Sequence, residues 1–100
     1  MTRVLVIDDD RLIRKVVHKA LSDLNYEVIE TEDGLEALKR IKSIRPDAVI
    51  VDKMMPGIDG FEVTRRLRRE RELAHIPILV LTGDSELEEK LAAFEAGADD

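Results

Sequence analysis

Val4-Leu5-Val6-Ile7-Asp8-Asp9 opens the chain with four apolar residues that run straight into two acids. The pattern returns twice. Val49-Ile50-Val51 meets Asp52, and Ile78-Leu79-Val80-Leu81 meets Thr82. Short apolar runs separated by helical patterns predict buried parallel strands. Parallel strands end on one edge of a sheet, and open α/β proteins build their sites at that edge. Three carboxylates and a hydroxyl are therefore expected to converge.

The rest of the chain fits this frame. The first strand is expected over Arg3–Ile7. Leu12, Ile13, Val16, Val17, Ala20, Leu21 and Leu24 then recur at helical spacing and form a broad apolar stripe. Asn25 can end that helix, because Asn tolerates the left-handed conformation. Val28 and Ile29 centre a short strand over 27–30. Asp33 and Glu36 have capping-box spacing ahead of Leu35, Ala37, Leu38 and Ile41. Pro46 closes this second helix region and leads into a strand over Ala48–Val51. Pro56-Gly57 and Asp59-Gly60 read as two tight turns, with Asp59 in a turn role. Phe61, Val63, Thr64 and Leu67 begin a third helix. Pro77 precedes the fourth strand, Ile78–Leu81. Ser85 caps a fourth helix carrying Leu87, Leu91, Ala92 and Phe94, and Gly97 ends it. The order is βαβαβαβα, which implies a parallel sheet with helices on both faces.

Composition narrows the function. The 100 residues suit one domain with one core. Hydrophobic residues are 44% and aromatics 3%, so the core is aliphatic. The 16 basic and 22 acidic residues leave a net charge of −6, which argues against direct nucleic-acid binding. Cysteine is absent, so disulfides and thiol chemistry are excluded. No apolar stretch approaches a membrane span and the chain starts directly on a strand, so a cytoplasmic location is the expectation.

The acids carry the chemistry. Two like charges ~4 Å apart repel by about 4 kcal/mol at an effective dielectric near 20. Converging acids either raise a pKa or hold a hard cation. Oxygen donors without His or Cys favour Mg²⁺, Mn²⁺ or Ca²⁺ over zinc or copper. Asp52, in the middle run, is the nucleophile candidate; Asp8 and Asp9 are the metal holders. Thr82 can donate to a phosphoryl oxygen. His18 and His75 are read as surface positions, and the Arg65–Arg71 cluster as a solvated helix face.

Four segments together carry a resemblance. Val4 to Asp9, Asp52-Lys-Met-Met-Pro-Gly-Ile-Asp-Gly60, Leu81-Thr-Gly83 and Glu95-Ala-Gly-Ala-Asp99 resemble the response-regulator receiver domain of two-component signalling. The resemblance implies a flavodoxin-like doubly wound parallel α/β sheet. It implies Asp52 as phosphoacceptor, served by a histidine kinase or phosphotransfer protein. Mg²⁺ (or Mn²⁺) would be held by Asp9, Asp52 and the Met54 backbone carbonyl, with Asp8 acting largely through water. Thr82 would be the switch hydroxyl. Met54 and Asp84 occupy positions that tune phosphorylation and dephosphorylation rates in the family. A receiver accepts a phosphoryl group and is not itself an enzyme.

The family pattern continues with an aromatic residue, a fifth strand ending in Lys-Pro and a fifth helix. The chain is therefore expected to be a C-terminally incomplete receiver over 1–100, with (βα)4 of (βα)5. Lys53 is no substitute for the family's lysine, since neighbours on an extended segment point oppositely. An exposed fourth strand would template pairing, so a homo-oligomer or exchange of elements is expected. Two rival readings remain. One is a Mg²⁺-dependent aspartyl phosphotransferase or phosphatase, which would want a second acid where Met54 stands. The other is a self-associating fragment without signalling activity.

Overall fold

The computed structural model describes residues 1–81. The expectations for Thr82, Asp84 and the helix from Ser85 to Gly97 lie outside the described residues. Within them the order is β1 (Arg3–Ile7), α1 (Arg11–Asp23), β2 (Glu27–Thr31), α2 (Gly34–Ile44), β3 (Ala48–Asp52), α3 (Gly60–Arg69) and β4 (Ile78–Leu81). The strands form one parallel sheet in the order β2-β1-β3-β4. The apolar runs thus became adjacent strands, with Leu5 beside Val49 and Val51 beside Val80.

Each strand alternates its side chains between two faces. Leu5, Ile7, Val49, Val51, Ile78 and Val80 meet Ala37 and Ile41 of α2 and Val63 and Leu67 of α3 in one buried cluster. Full burial of one such aliphatic side chain stabilises by roughly 1.5–3 kcal/mol. Val4, Ile50 and Leu79 project to the other face, where they line an open groove with Leu21 of α1.

That second face departs from the sequence reading. None of α1's residues is fully buried. Leu12 is 73% exposed and Val16 62%, so much of the apolar stripe faces outward. The half-buried positions are Arg14, Val17, His18 and Leu21. Their spacing of three, four and seven is a helix face, and half of it is polar. His18, expected at the surface, keeps a side chain 40% exposed and also meets Glu30 of β2, with Nδ1 and Oε2 2.6 Å apart.

The helix ends follow local rules. Asn25 has φ 67°, and the Asn25 and Tyr26 amides donate to the Ser22 and Leu21 carbonyls, a Schellman closure. Asp33 caps α2 by accepting from the Glu36 amide at 2.7 Å. Asp59 needs a correction: it does not form a tight turn with Gly60. It caps α3, accepting from the Glu62 amide at 2.8 Å, and Gly60 is the first helical residue.

Candidate functional site

The site grows from the ends of β1 and β3. Because these strands are parallel neighbours, Asp8 and Asp9 emerge beside Asp52. One carboxylate oxygen from each lies within 4.8 Å of the other two. Among the described residues this is the one group of three or more acidic or His side chains placed to hold a metal ion. The structure brings Asp8, Asp9 and Asp52 together at the strand ends.

The three acids have different surroundings. Asp8 is buried, at 1% exposure, while Asp52 is half-buried and Asp9 is exposed. The Asp8 carboxylate accepts from the Asp10 amide at 2.9 Å. Burial pushes the Asp8 carboxyl above the usual carboxylate range, helped by the charges of Asp9 and Asp10 and opposed by the Asp10 hydrogen bond and Arg14. Burial also raises Asp52, with the charges of Asp8 and Asp9 adding to it. Backbone hydrogen bonding at Met54 and Lys53 opposes that rise. The cluster therefore stores negative charge that a divalent cation would relieve.

The donor set decides which cation fits. Among the described residues the side chains grouped here are three carboxylates, with no His beside them. Hard oxygen donors suit Mg²⁺. Met54 is exposed, at the start of the loop that leaves β3. Gly57 turns that loop with φ 85°, and α3 then begins at Gly60.

Periodicity did not reveal what stands behind the acids. The Arg14 guanidinium donates from Nη1 to the Asp8 backbone carbonyl at 2.6 Å and from Nε to Glu30 Oε1 at 3.2 Å. Glu30 Oε2 also meets Lys15 Nζ at 3.0 Å. Burial alone would lift the Glu30 carboxyl, but hydrogen bonds from Lys15, His18 and Arg14 outweigh it and hold Glu30 below the usual range.

The described strands form a four-stranded parallel α/β sheet with acids gathered at its strand ends, the edge where open α/β domains place their sites. The chain belongs to the response regulator receiver domain family, whose model matches residues 4–100. It is 48% identical over 98 residues to the response regulator MprA of Mycobacterium sp. strain KMS, covering 98% of this chain and 42% of that protein. The MprA of Mycolicibacterium vanbaalenii is 49% identical over the same length and coverage. The chain thus spans 42% of these curated relatives. The Vibrio cholerae chemotaxis protein CheY4 superposes with a TM-score of 0.93 at 38% identity, covering 98% of this chain and 82% of that one. A response regulator from Chloroflexus aurantiacus gives 0.95 at 38% identity, covering 99% and 81%. Among the described residues no helix is long and apolar enough to cross a membrane.

Proposed function

We propose that this domain is a phosphoacceptor switch in which Asp52 takes a phosphoryl group from a histidine kinase, a phosphotransfer protein or a small phosphodonor. The observation that carries this reading is the convergence of Asp8, Asp9 and Asp52 within 4.8 Å. In the transfer, an Asp52 carboxylate oxygen forms a bond to phosphorus while the donor's P–N or P–O bond breaks. The donor leaves with the electron pair and is protonated from solvent.

Asp9, Asp52 and the Met54 carbonyl are the proposed holders of Mg²⁺, with Asp8 behind them. Bound there, Mg²⁺ supplies neutralisation of the phosphoryl oxygens. The backbone at Met54 and Lys53 lowers the Asp52 carboxyl against the pull of burial and so favours the charged nucleophile. Thr82, next after β4 in sequence, is the proposed switch hydroxyl. The acyl phosphate biases a two-state equilibrium, and no turnover of an external substrate belongs to this reading. A cytoplasmic placement is part of the same proposal. The test is intact mass after incubation with acetyl phosphate and Mg²⁺. Wild type should gain one phosphoryl group and Asp52→Asn none. Equal labelling of both would sink the assignment.

A second reading, self-association of the 100-residue chain, also has an observation behind it. Leu79 on β4, at the edge of the sheet among the described residues, is 38% exposed, beside an apolar groove lined by Val4, Leu21, Tyr26 and Ile50. Exposed apolar surface of this kind seeks a partner. Light scattering at micromolar concentration decides it, and a sharp monomer mass would reject it.

A further inference from the structure

We infer that Arg14 is a positioning residue of the acidic site: by fastening the Asp8 carbonyl to Glu30, it sets how Asp8 and Asp9 are presented to a divalent cation. This inference rests on the receiver reading for its cation.

Asp8 sits where the chain turns from β1 into α1. Its polar groups are engaged on three sides. The amide donates to the Thr31 carbonyl at 3.1 Å, the carboxylate accepts from Asp10, and the carbonyl accepts from Arg14. Arg14 is the element that reaches across from the helix. Its side chain is only 11% exposed and spans two acceptors, the Asp8 carbonyl just after β1 and Glu30 on β2. Glu30 is a firm anchor because its second oxygen is held by Lys15 and His18.

The chemistry favours position over charge. A cation placed near three carboxylates opposes the binding of another cation. Were Arg14 present only as a charge, removing it would tighten Mg²⁺. An arginine fork, by contrast, fixes two acceptors at once in a rigid planar geometry that the flexible lysine ammonium lacks. Groups that orient metal ligands from behind typically contribute 10–100-fold in metal affinity.

The experiment is calorimetric titration of the full chain with MgCl₂, at a temperature where metal-free thermal unfolding shows every variant folded. Arg14→Ala should weaken Mg²⁺ binding by roughly 10–100-fold. Arg14→Lys should recover part of that. Lys15→Ala, which touches the same Glu30 but not Asp8, should stay near wild type. Glu30→Ala should fall between, and the Arg14→Ala/Glu30→Ala double variant should bind no worse than Arg14→Ala alone. The Asp9 and Asp10 amide NMR signals, recorded without metal, should shift in Arg14→Ala and not in Lys15→Ala. Unchanged or tighter binding by Arg14→Ala, a loss in Lys15→Ala of equal size, or unmoved Asp9 and Asp10 signals would each overturn the inference. If Arg14→Ala does not fold, Arg14→Lys and Glu30→Ala carry the same ordering. Phosphoryl incorporation is measured in parallel on wild type. A wild type that binds Mg²⁺ yet takes no phosphoryl group rejects the receiver mechanism and leaves the Arg14 comparison intact.

Discussion

Gly60 lies against the backbone of Asp52 so closely that a Cβ built at 60 would fall 2.4 Å from the Asp52 carbonyl oxygen and 3.0 Å from its carbonyl carbon. The Gly60 amide meanwhile donates to the Lys53 carbonyl at 3.0 Å. The first turn of α3 is thus seated on the end of β3 that carries the proposed phosphoacceptor.

Gly60→Ala should therefore destabilise the protein, although alanine is the better helix former by about 1 kcal/mol. The obstructing atoms are backbone, so relief needs movement of β3 or α3, and overpacking of this kind costs about 1–3 kcal/mol. The displaced atoms belong to Asp52, so phosphoryl incorporation should slow as well. Urea unfolding and mass spectrometry check the two effects. A Gly60→Ala variant more stable than wild type would contradict the packing argument.

The acid cluster should make stability depend on divalent cation. Asp8 and Asp52 are both raised, first by burial and then by neighbouring charge. Groups raised in the folded state contribute stability that is present below their unfolded pKa and lost as pH rises through the raised values. At neutral pH in EDTA, Asp52→Asn should therefore unfold at a higher temperature than wild type. The gap should shrink as pH falls toward the ordinary carboxylate range. Excess Mg²⁺ should stabilise wild type by about 2.7 kcal/mol at a hundred times its Kd, and Asp52→Asn by less. Calorimetric scans with and without MgCl₂ measure both.

The strands and the acids were legible because their signals are local. Apolar runs that end in Asp need no knowledge of what packs where, and the bounds of β1 and β4 match the sequence reading. The face of α1 was not legible. Hydrophobic periodicity finds apolar stripes, whereas this helix docks through Arg14 and His18 on Glu30. That cluster exists only once β2 is paired beside β1. Asp59 was ambiguous because Asp-Gly serves turns and helix starts alike. Glu62, three residues on, was the deciding signal, with the same spacing that marked Asp33 and Glu36.

Glu30 gives a pH dependence of the opposite sign to the acid cluster. Burial would lift it, but the donors Lys15, His18 and Arg14 hold its carboxyl low. A group depressed in the folded state contributes stability above its unfolded pKa, and that stability is lost as pH falls through the folded value. Wild type should therefore exceed Glu30→Gln in stability at neutral pH, and the two should converge in acid below the usual glutamate range. Chemical denaturation across pH follows the difference. A constant gap would show that packing, not charge, accounts for it.

Two helix ends offer a paired test of backbone strain. Asn25 has φ 67° and Arg45 has φ 51°, both left-handed. The left-handed conformation costs an ordinary residue about 1–2 kcal/mol, while glycine adopts it freely. Asn is partly exempt because its short side chain tolerates that region; Arg is not. Arg45 also precedes Pro46, which disfavours helical backbone. Its side chain is exposed, and its amide donates to the Ile41 carbonyl at 2.9 Å at the end of α2. Arg45→Gly should thus stabilise the protein by about 0.5–1 kcal/mol, and Asn25→Gly by less. Asn25→Ala should destabilise by about 1 kcal/mol, since it keeps the strain and loses the tolerance. Thermal unfolding of the three variants tests the ordering, and an Arg45→Gly variant below wild type would show that the Arg45 side chain holds the end of α2 more firmly than its backbone strains it.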